Sequence, residues 1–295
     1  MVVSEDLLLD LIRAELPVHD SSVLLGSGDD CALVEWKAEH HALVLKTDAT
    51  IEGIHFNTQA HLTEVGWKAF CRPISDFAAM GATPKHALIT VAAPSSLQKE
   101  EWIQLARGFG KAARAFNIIV VGGEVARAPE TMFISVSISG YPGKRSTLRS
   151  QAHEGDLICV TGKLGGALQS GCHLRFMPRL SEGQWLAAQE GVHAMMDLSD
   201  GLGTDLPRLA RASHCSFQLE LDHLPCHQGC SMKEAISDGE DYELLLTIAP
   251  QAWPKLQKAW NRKFPTLLLT SFGKIGPPHD PSTLLTQGYE HFILS

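Results

Sequence analysis

Six short acidic clusters stand beside glycine, serine or threonine: Gly28-Asp29-Asp30, Lys46-Thr47-Asp48, Ser75-Asp76, Gly122-Gly123-Glu124, Asp197-Leu198-Ser199-Asp200-Gly201 and Asp238-Gly239-Glu240-Asp241. They are far apart in the chain, and several follow runs that read as strands, where loops hold binding residues on a rigid scaffold. Carboxylates that serve solubility stand on helix faces among lysines. These instead offer oxygen donors for a hard cation such as Mg²⁺, which bridges protein carboxylates to the phosphates of a substrate. The chemistry indicated is phosphate handling through metal ions.

Other solutions to holding phosphate are missing. No G-x-x-x-x-G-K-[ST] motif occurs, which excludes a P-loop, and the His-Arg-Asp and Asp-Phe-Gly elements of protein kinases are absent. Gly26-Ser27-Gly28 begins like a dinucleotide fingerprint but lacks the third glycine, and the aspartates after it would repel a pyrophosphate. His223, Cys226, His227 and Cys230 form a local cluster whose loose spacing reads as a polar loop rather than a zinc site.

The elements that must position the clusters are interspersed strands and helices. Apolar and β-branched runs predict strands over 42–47, 86–92, 118–121, 132–140, 157–161, 195–198, 217–221 and 244–248. Helical spacing of apolar residues predicts helices over 4–16, 64–80, 99–116, 182–190, 203–212 and 251–264. Strand alternation puts Lys46 and Asp48 on one face. Asp76 falls in a helix whose apolar positions are Val65, Phe70, Ile74 and Phe77. The helix that follows Asp200-Gly201 presents backbone N–H groups to a phosphate at its N-terminus.

At 295 residues the chain accommodates two domains, and Pro142, Gly143 and a basic stretch mark the boundary between residues 1–141 and 142–295. A hydrophobic content of 44% with 20% charged residues is that of a globular protein. The net charge of -8 argues against nucleic acid or an anionic membrane as partner. No apolar run is long enough to span a bilayer and the first residues lack a basic region, so a cytoplasmic protein is expected. Seven scattered cysteines, an odd number, fit reduced thiols.

Taken in order, the segments Gly28-Asp29-Asp30, Thr47-Asp48-x6-His55-Phe56, Ser75-Asp76-x-Ala78-Ala79-Met80-Gly81-Ala82, Val121-Gly122-Gly123 and Gly155-Asp156-x4-Thr161-Gly162 resemble the thiamine-monophosphate kinases. So do Met196-Asp197-x-Ser199-Asp200-Gly201-Leu202, Gly239-Glu240-Asp241-Tyr242-Glu243-Leu244 and the tail Gly288-Tyr289-Glu290-His291-Phe292. The resemblance runs over nearly the whole chain. It implies an α+β, two-domain fold of the aminoimidazole ribonucleotide synthetase type, dimeric through its N-terminal domains. It implies ATP- and Mg²⁺-dependent phosphorylation of thiamine monophosphate to thiamine diphosphate, with several Mg²⁺ ions. The acceptor is a phosphate oxygen, already anionic near neutral pH, so no general base is assigned.

Carried over residue by residue, the resemblance gives Asp30, Thr47, Asp48, Asp76, Glu124, Asp197 and Asp200 to metal ions. It gives Gly123, Glu124, Arg149 and Ser199 to the nucleotide, and His55, Glu240 and Tyr289 to the thiamine moiety. Four positions depart from the family pattern: Lys46 replaces a hydroxyl residue, Pro73 an asparagine, Glu124 an aspartate and Asp238 a glycine. Two alternatives stay open at this point. One is a kinase or synthetase of the same fold with another acceptor; the other is a catalytically silent nucleotide-binding paralogue.

Overall fold

In the computed structural model, described over residues 23–25, 29–35, 42–285 and 288–289, each half of the chain builds one sheet. The helix expected over 4–16, the segment Gly26-Ser27-Gly28 and residues 290–292 lie outside the described residues. Strands β1 (Val23–Leu25), β2 (Ala32–Glu35), β3 (Ala42–Ile51), β4 (Thr83–Ala93), β5 (Ile119–Arg127) and β6 (Phe133–Tyr141) form a six-stranded sheet ordered β1-β2-β3-β6-β4-β5. Its pairings are antiparallel except β4 with the edge strand β5.

Helices α1 (Leu62–Ala79) and α2 (Lys99–Ala115) cover one face of this sheet. Period-two alternation decides which face: Ile134, Val136 and Ile138 are buried with Phe70, Ile74 and Phe77 of α1, while Ser135 and Ser137 point the other way. That other face carries Leu45, Leu88 and Phe133, which are 39%, 50% and 38% exposed.

The second sheet contains β7 (Leu157–Thr161), β8 (Val192–Asp197), β9 (Ser216–Leu219), β10 (Leu244–Ile248) and β11 (Leu269–Gly276), ordered β8-β10-β7-β11-β9 and antiparallel throughout. Its helices are α3 (Ala167–Ser170), α4 (Leu180–Ala187), α5 (Leu202–Ala212), α6 (Met232–Ser237) and α7 (Trp253–Lys263). Every residue of β10 is buried, because both faces of this sheet are covered. One face packs Val160, Leu245 and Phe272 with α5; the other packs Met195, Leu246 and Trp260 with α4. Ala78 and Ala79, at the end of α1, belong to that second core, so one helix ties both halves together. Gly183 permits the approach, since a Cβ there would lie 2.0 Å from the Ala78 carbonyl oxygen.

The mixed α+β architecture agrees with expectation, but several details differ, among them β1, β2 and α3, which match no predicted element, and Asp48, which lies inside β3 rather than after it. Strand β5 continues to Arg127, so Gly122-Gly123-Glu124 lie inside an edge strand rather than after one. Helix α1 runs on through Pro73. Strand β11 and helix α6 have no counterpart among the predicted elements; β11 contains two glycines, a serine and a lysine, and so lacks a strand-like apolar pattern. All seven cysteines are free thiols. Among the described residues no helix is long and apolar enough to cross a membrane.

Candidate active site

Three buried carboxylates meet where the two halves join. Asp30 comes from the turn between β1 and β2, Asp76 from α1, and Asp197 from the last residue of β8. One oxygen from each lies within 4.8 Å of the others. Two cations offset part of this charge. Lys46 Nζ, on β3, donates to Asp76 Oδ1 at 2.6 Å. Arg149 donates through Nη2 to Asp30 Oδ1 at 2.5 Å and through Nε to Oδ2 at 3.2 Å, while its backbone N–H reaches Asp29 Oδ2 at 3.1 Å.

Burial and crowding make Asp76, Asp197 and the neighbouring Asp29 hard to ionise. Burial, then the charge of Asp30, pushes the Asp197 carboxyl up to about 7. Burial also holds Asp76 well above the usual carboxylate range, against the pull of Lys46. Asp29 is pushed up to about 7 by burial and by Asp30. Hard oxygen donors that repel one another, aimed at one point, fit the coordination chemistry of Mg²⁺.

Asp48 shares the face of Lys46, as alternation requires, and stands 3.3 Å from Arg72 of α1. Thr47 faces the other way, its hydroxyl 2.8 Å from Ser137 Oγ and 3.2 Å from Ser135 Oγ. Glu124 is on that same outer face, in the row Ala49, Ser135, Thr90, Glu124. Three strand spacings put it ~14 Å from β3. Within one chain, therefore, neither the Thr47 hydroxyl nor Glu124 joins the buried aspartates. Gly123 hugs β4: a Cβ there would come within 1.9 Å of the Ile89 carbonyl oxygen.

A second polar cluster adjoins the first along α1. Lys68, wholly buried, donates to the His55 carbonyl oxygen at 2.6 Å and pairs closely with Glu240. Burial pulls the Lys68 ammonium down to about 8, although Glu240 acts in the opposite direction. His55 Nδ1 accepts the Ile51 N–H at 3.0 Å, which leaves Nε2 to carry the proton of the neutral ring. Glu240 and Tyr242 both have left-handed backbone, at φ 69° and 51°. Their N–H groups bond the carbonyls of Ser199 and Leu198 at 2.7 and 2.8 Å, which locks this loop to the end of β8. Gly239 allows that contact, as a Cβ would lie 2.7 Å from the Ser199 oxygen. Beside the loop opens a groove of about 370 Å³, lined in part by Arg175, Phe176, Arg179 and Glu240. Phe176 stacks on Tyr242 with ring centres 3.8 Å apart.

Asp200 pairs with Arg208 of α5, and its carbonyl oxygen accepts the Tyr289 N–H at 2.8 Å. The N–H groups of Ser199 and Asp200 go to Asp205 Oδ2 at 3.1 and 3.0 Å. Buried Asp205 thus shapes the turn before α5. Neither it nor Lys68, Arg72 and Arg208 is singled out by the acidic-cluster pattern. A signal did exist for two of them: Lys68, Arg72 and Asp76 recur every fourth residue, a charged stripe on an otherwise apolar helix.

Comparison with known proteins accounts for this arrangement. The N-terminal domain model of AIR synthase related proteins matches residues 28–141, and the C-terminal domain model matches residues 153–259. The two matches together cover most of the chain, which belongs to the AIR synthase related proteins. The thiamine-monophosphate kinase of Rhodopirellula baltica is 36% identical over 246 residues, 78% of this chain and 77% of the relative. AaThiL complexed with AMPPCP and TMP superposes with a TM-score of 0.83 at 28% identity, covering 98% of this chain and 97% of that chain. Thiamine-monophosphate kinase from Stenotrophomonas maltophilia gives a TM-score of 0.75 at 29% identity, covering 93% and 95%. The chain belongs to the thiamine-monophosphate kinase family.

Proposed function

We propose that this kinase transfers the γ-phosphoryl group of ATP to thiamine monophosphate, giving thiamine diphosphate and ADP. The observation that carries the reading is the convergence of Asp30, Asp76 and Asp197 from both halves at one buried point. In the transfer the bond from the γ-phosphorus to its bridging oxygen breaks, and a phosphate oxygen of the acceptor bonds to that phosphorus. No proton has to leave the acceptor, so positioning and charge carry the catalysis.

Asp30, Asp48, Asp76, Asp197 and Asp200 would hold Mg²⁺, while Thr47 and Glu124, on the outer sheet face, would act as ligands only to a metal shared with a second copy. Bound there, Mg²⁺ would neutralise the phosphates and orient the γ-phosphoryl group. Arg149 and Ser199 meet the nucleotide; Gly123 and Glu124, on edge strand β5, would meet one held by a second copy. Arg149 exchanges Asp30 for a phosphate, the anion that its planar fork suits equally well. His55, Glu240 and Tyr289 meet the thiamine moiety, and Lys68 fixes the first two relative to each other. Lys46 replaces one Mg²⁺ by a fixed ammonium beside Asp76.

The reading takes residues 1–141 and 142–295 as the two domains and a homodimer as the working form. The exposed apolar residues of the outer sheet face and of β5, with Val121 59% and Val125 67% exposed, support a second copy packing there. Such a copy would cover the face that carries Thr47 and Glu124. The free thiols fit the cytoplasm.

The deciding experiment incubates the protein with ATP, Mg²⁺ and thiamine monophosphate and follows thiamine diphosphate by chromatography. Stoichiometric ADP and thiamine diphosphate are expected. ATP binding without either product would favour the silent paralogue, and ADP formation with another acceptor alone would favour the altered specificity.

A further inference from the structure

We propose that His153, Asp156 and His193 form a second metal site, suited to a borderline divalent ion such as Zn²⁺ rather than to Mg²⁺. One ligating atom from each residue lies within 4.8 Å of the others. Two imidazoles and a carboxylate are the donors that bind Zn²⁺ and its first-row neighbours, with room left for water. Mg²⁺ prefers oxygen donors and would have no advantage here.

The site is built on rigid parts. Asp156 is buried, and its carboxylate accepts the His153 N–H at 2.9 Å. His193 Nδ1 lies 3.0 and 2.8 Å from the two oxygens of the same carboxylate. Main-chain bonds of 2.8 Å from Gly155 to Ile275 and from Ile275 to Asp156 clamp the turn that presents it. The His153 ring stands over that of His193 with centres 4.2 Å apart, and His153 is exposed, so an ion can enter from solvent.

A purely structural pair would need only His193 to satisfy the buried carboxylate. It gives no reason for a second imidazole at the same point. A bound ion would take the place of the hydrogen bond between His193 Nδ1 and Asp156, with the proton of the neutral ring carried on Nε2. The position is separate from the aspartate cluster: His193 is the second residue of β8 and Asp197 the last. Four residues of strand put the two ~13 Å apart. His153 also follows the turn 149–151, which carries Arg149, so an ion here would fix the segment that places Arg149 against Asp30.

The test titrates Co²⁺ into the full chain under excess Mg²⁺, which keeps the carboxylate sites filled, and reads the visible absorption of imidazole-bound Co²⁺. One equivalent is expected to bind, and Zn²⁺ should displace it. His153→Ala, at an exposed position, should keep the fold by circular dichroism and weaken Co²⁺ at least tenfold; His193→Gln should do the same, and Asp197→Asn should leave the band unchanged. A band absent from the wild-type protein, retained in His153→Ala, or lost in Asp197→Asn would overturn the proposal.

Discussion

Lys46 Nζ stands 2.6 Å from Asp76 Oδ1, inside the buried cluster that Asp30 and Asp197 complete. Burial works against an ammonium in this place, but Asp76 and then Asp48 outweigh it and push Lys46 above its ordinary range. The ammonium form is thereby favoured, and it occupies a carboxylate oxygen that a metal could otherwise use. Lys46→Thr should free that oxygen, so that activity depends more steeply on Mg²⁺ and ATP binding takes up more of it. A Mg²⁺ titration that overlays the wild type would leave Lys46 as a side chain whose charge merely reaches for water.

Asp48 shares the β3 face of Lys46 and is 3.3 Å from Arg72. Asp48→Asn keeps the shape and removes the charge. It should preserve the fold and weaken Mg·ATP binding at least tenfold in calorimetry, a loss of about 1.4 kcal/mol. Unchanged affinity would take Asp48 out of the metal site.

Much of this site is legible without coordinates because its ligands stand next to residues that punctuate structure. Asp30, Asp48, Asp76, Asp197 and Asp200 each stand within two residues of glycine, serine or threonine. What escapes is whatever depends on direction. Thr47 and Asp48 are adjacent in sequence, yet alternation sends them to opposite sheet faces, one towards Ser137 and one towards Arg72. Glu124 looks like a loop residue after two glycines, but β5 carries it away along the sheet edge. The cations of α1 are hidden for another reason. Lys68 and Arg72 resemble solvated helix residues until tertiary packing buries them against Glu240 and Asp48.

The aspartate cluster makes stability depend on pH. The Asp197 carboxyl moves from 3.8 to about 7 on folding, through burial and then Asp30. A carboxyl that holds its proton more tightly in the folded state stabilises the fold fully below its unfolded value, and that contribution is lost as pH rises through the folded one. Metal-free protein should therefore lose Tm from roughly pH 4 to pH 7, and Mg²⁺ should restore it most at and above the upper end, where Asp197 is ionised. At a hundredfold excess over Kd the restoration is worth about 2.7 kcal/mol. A Tm indifferent to Mg²⁺ at pH 8 would count against a cation site here.

Lys68 connects the two residues assigned to the thiamine moiety, the carbonyl of His55 and the side chain of Glu240. Lys68→Met keeps the volume but leaves Glu240 without its buried partner, which typically costs about 3–5 kcal/mol. The variant should melt earlier, and its KM for thiamine monophosphate should rise more than its KM for ATP. Equal changes in both constants would make Lys68 a purely structural residue.

The acceptor is decided by where the reacting oxygen resides. If that oxygen belongs to the phosphate already on the substrate, thiamine monophosphate should be phosphorylated and unphosphorylated thiamine should not. Tyr289 is 44% exposed and tethered through its N–H to the Asp200 carbonyl, so its ring can form one wall beside the metal ligands. A thiazolium cation against that ring gains roughly 0.5–2 kcal/mol. Tyr289→Ala should therefore raise KM for thiamine monophosphate by about two- to thirtyfold, while Tyr289→Phe retains the ring face and most of the affinity. Turnover of thiamine itself would reject this acceptor geometry, and an unaltered KM in Tyr289→Ala would remove the ring from the substrate site.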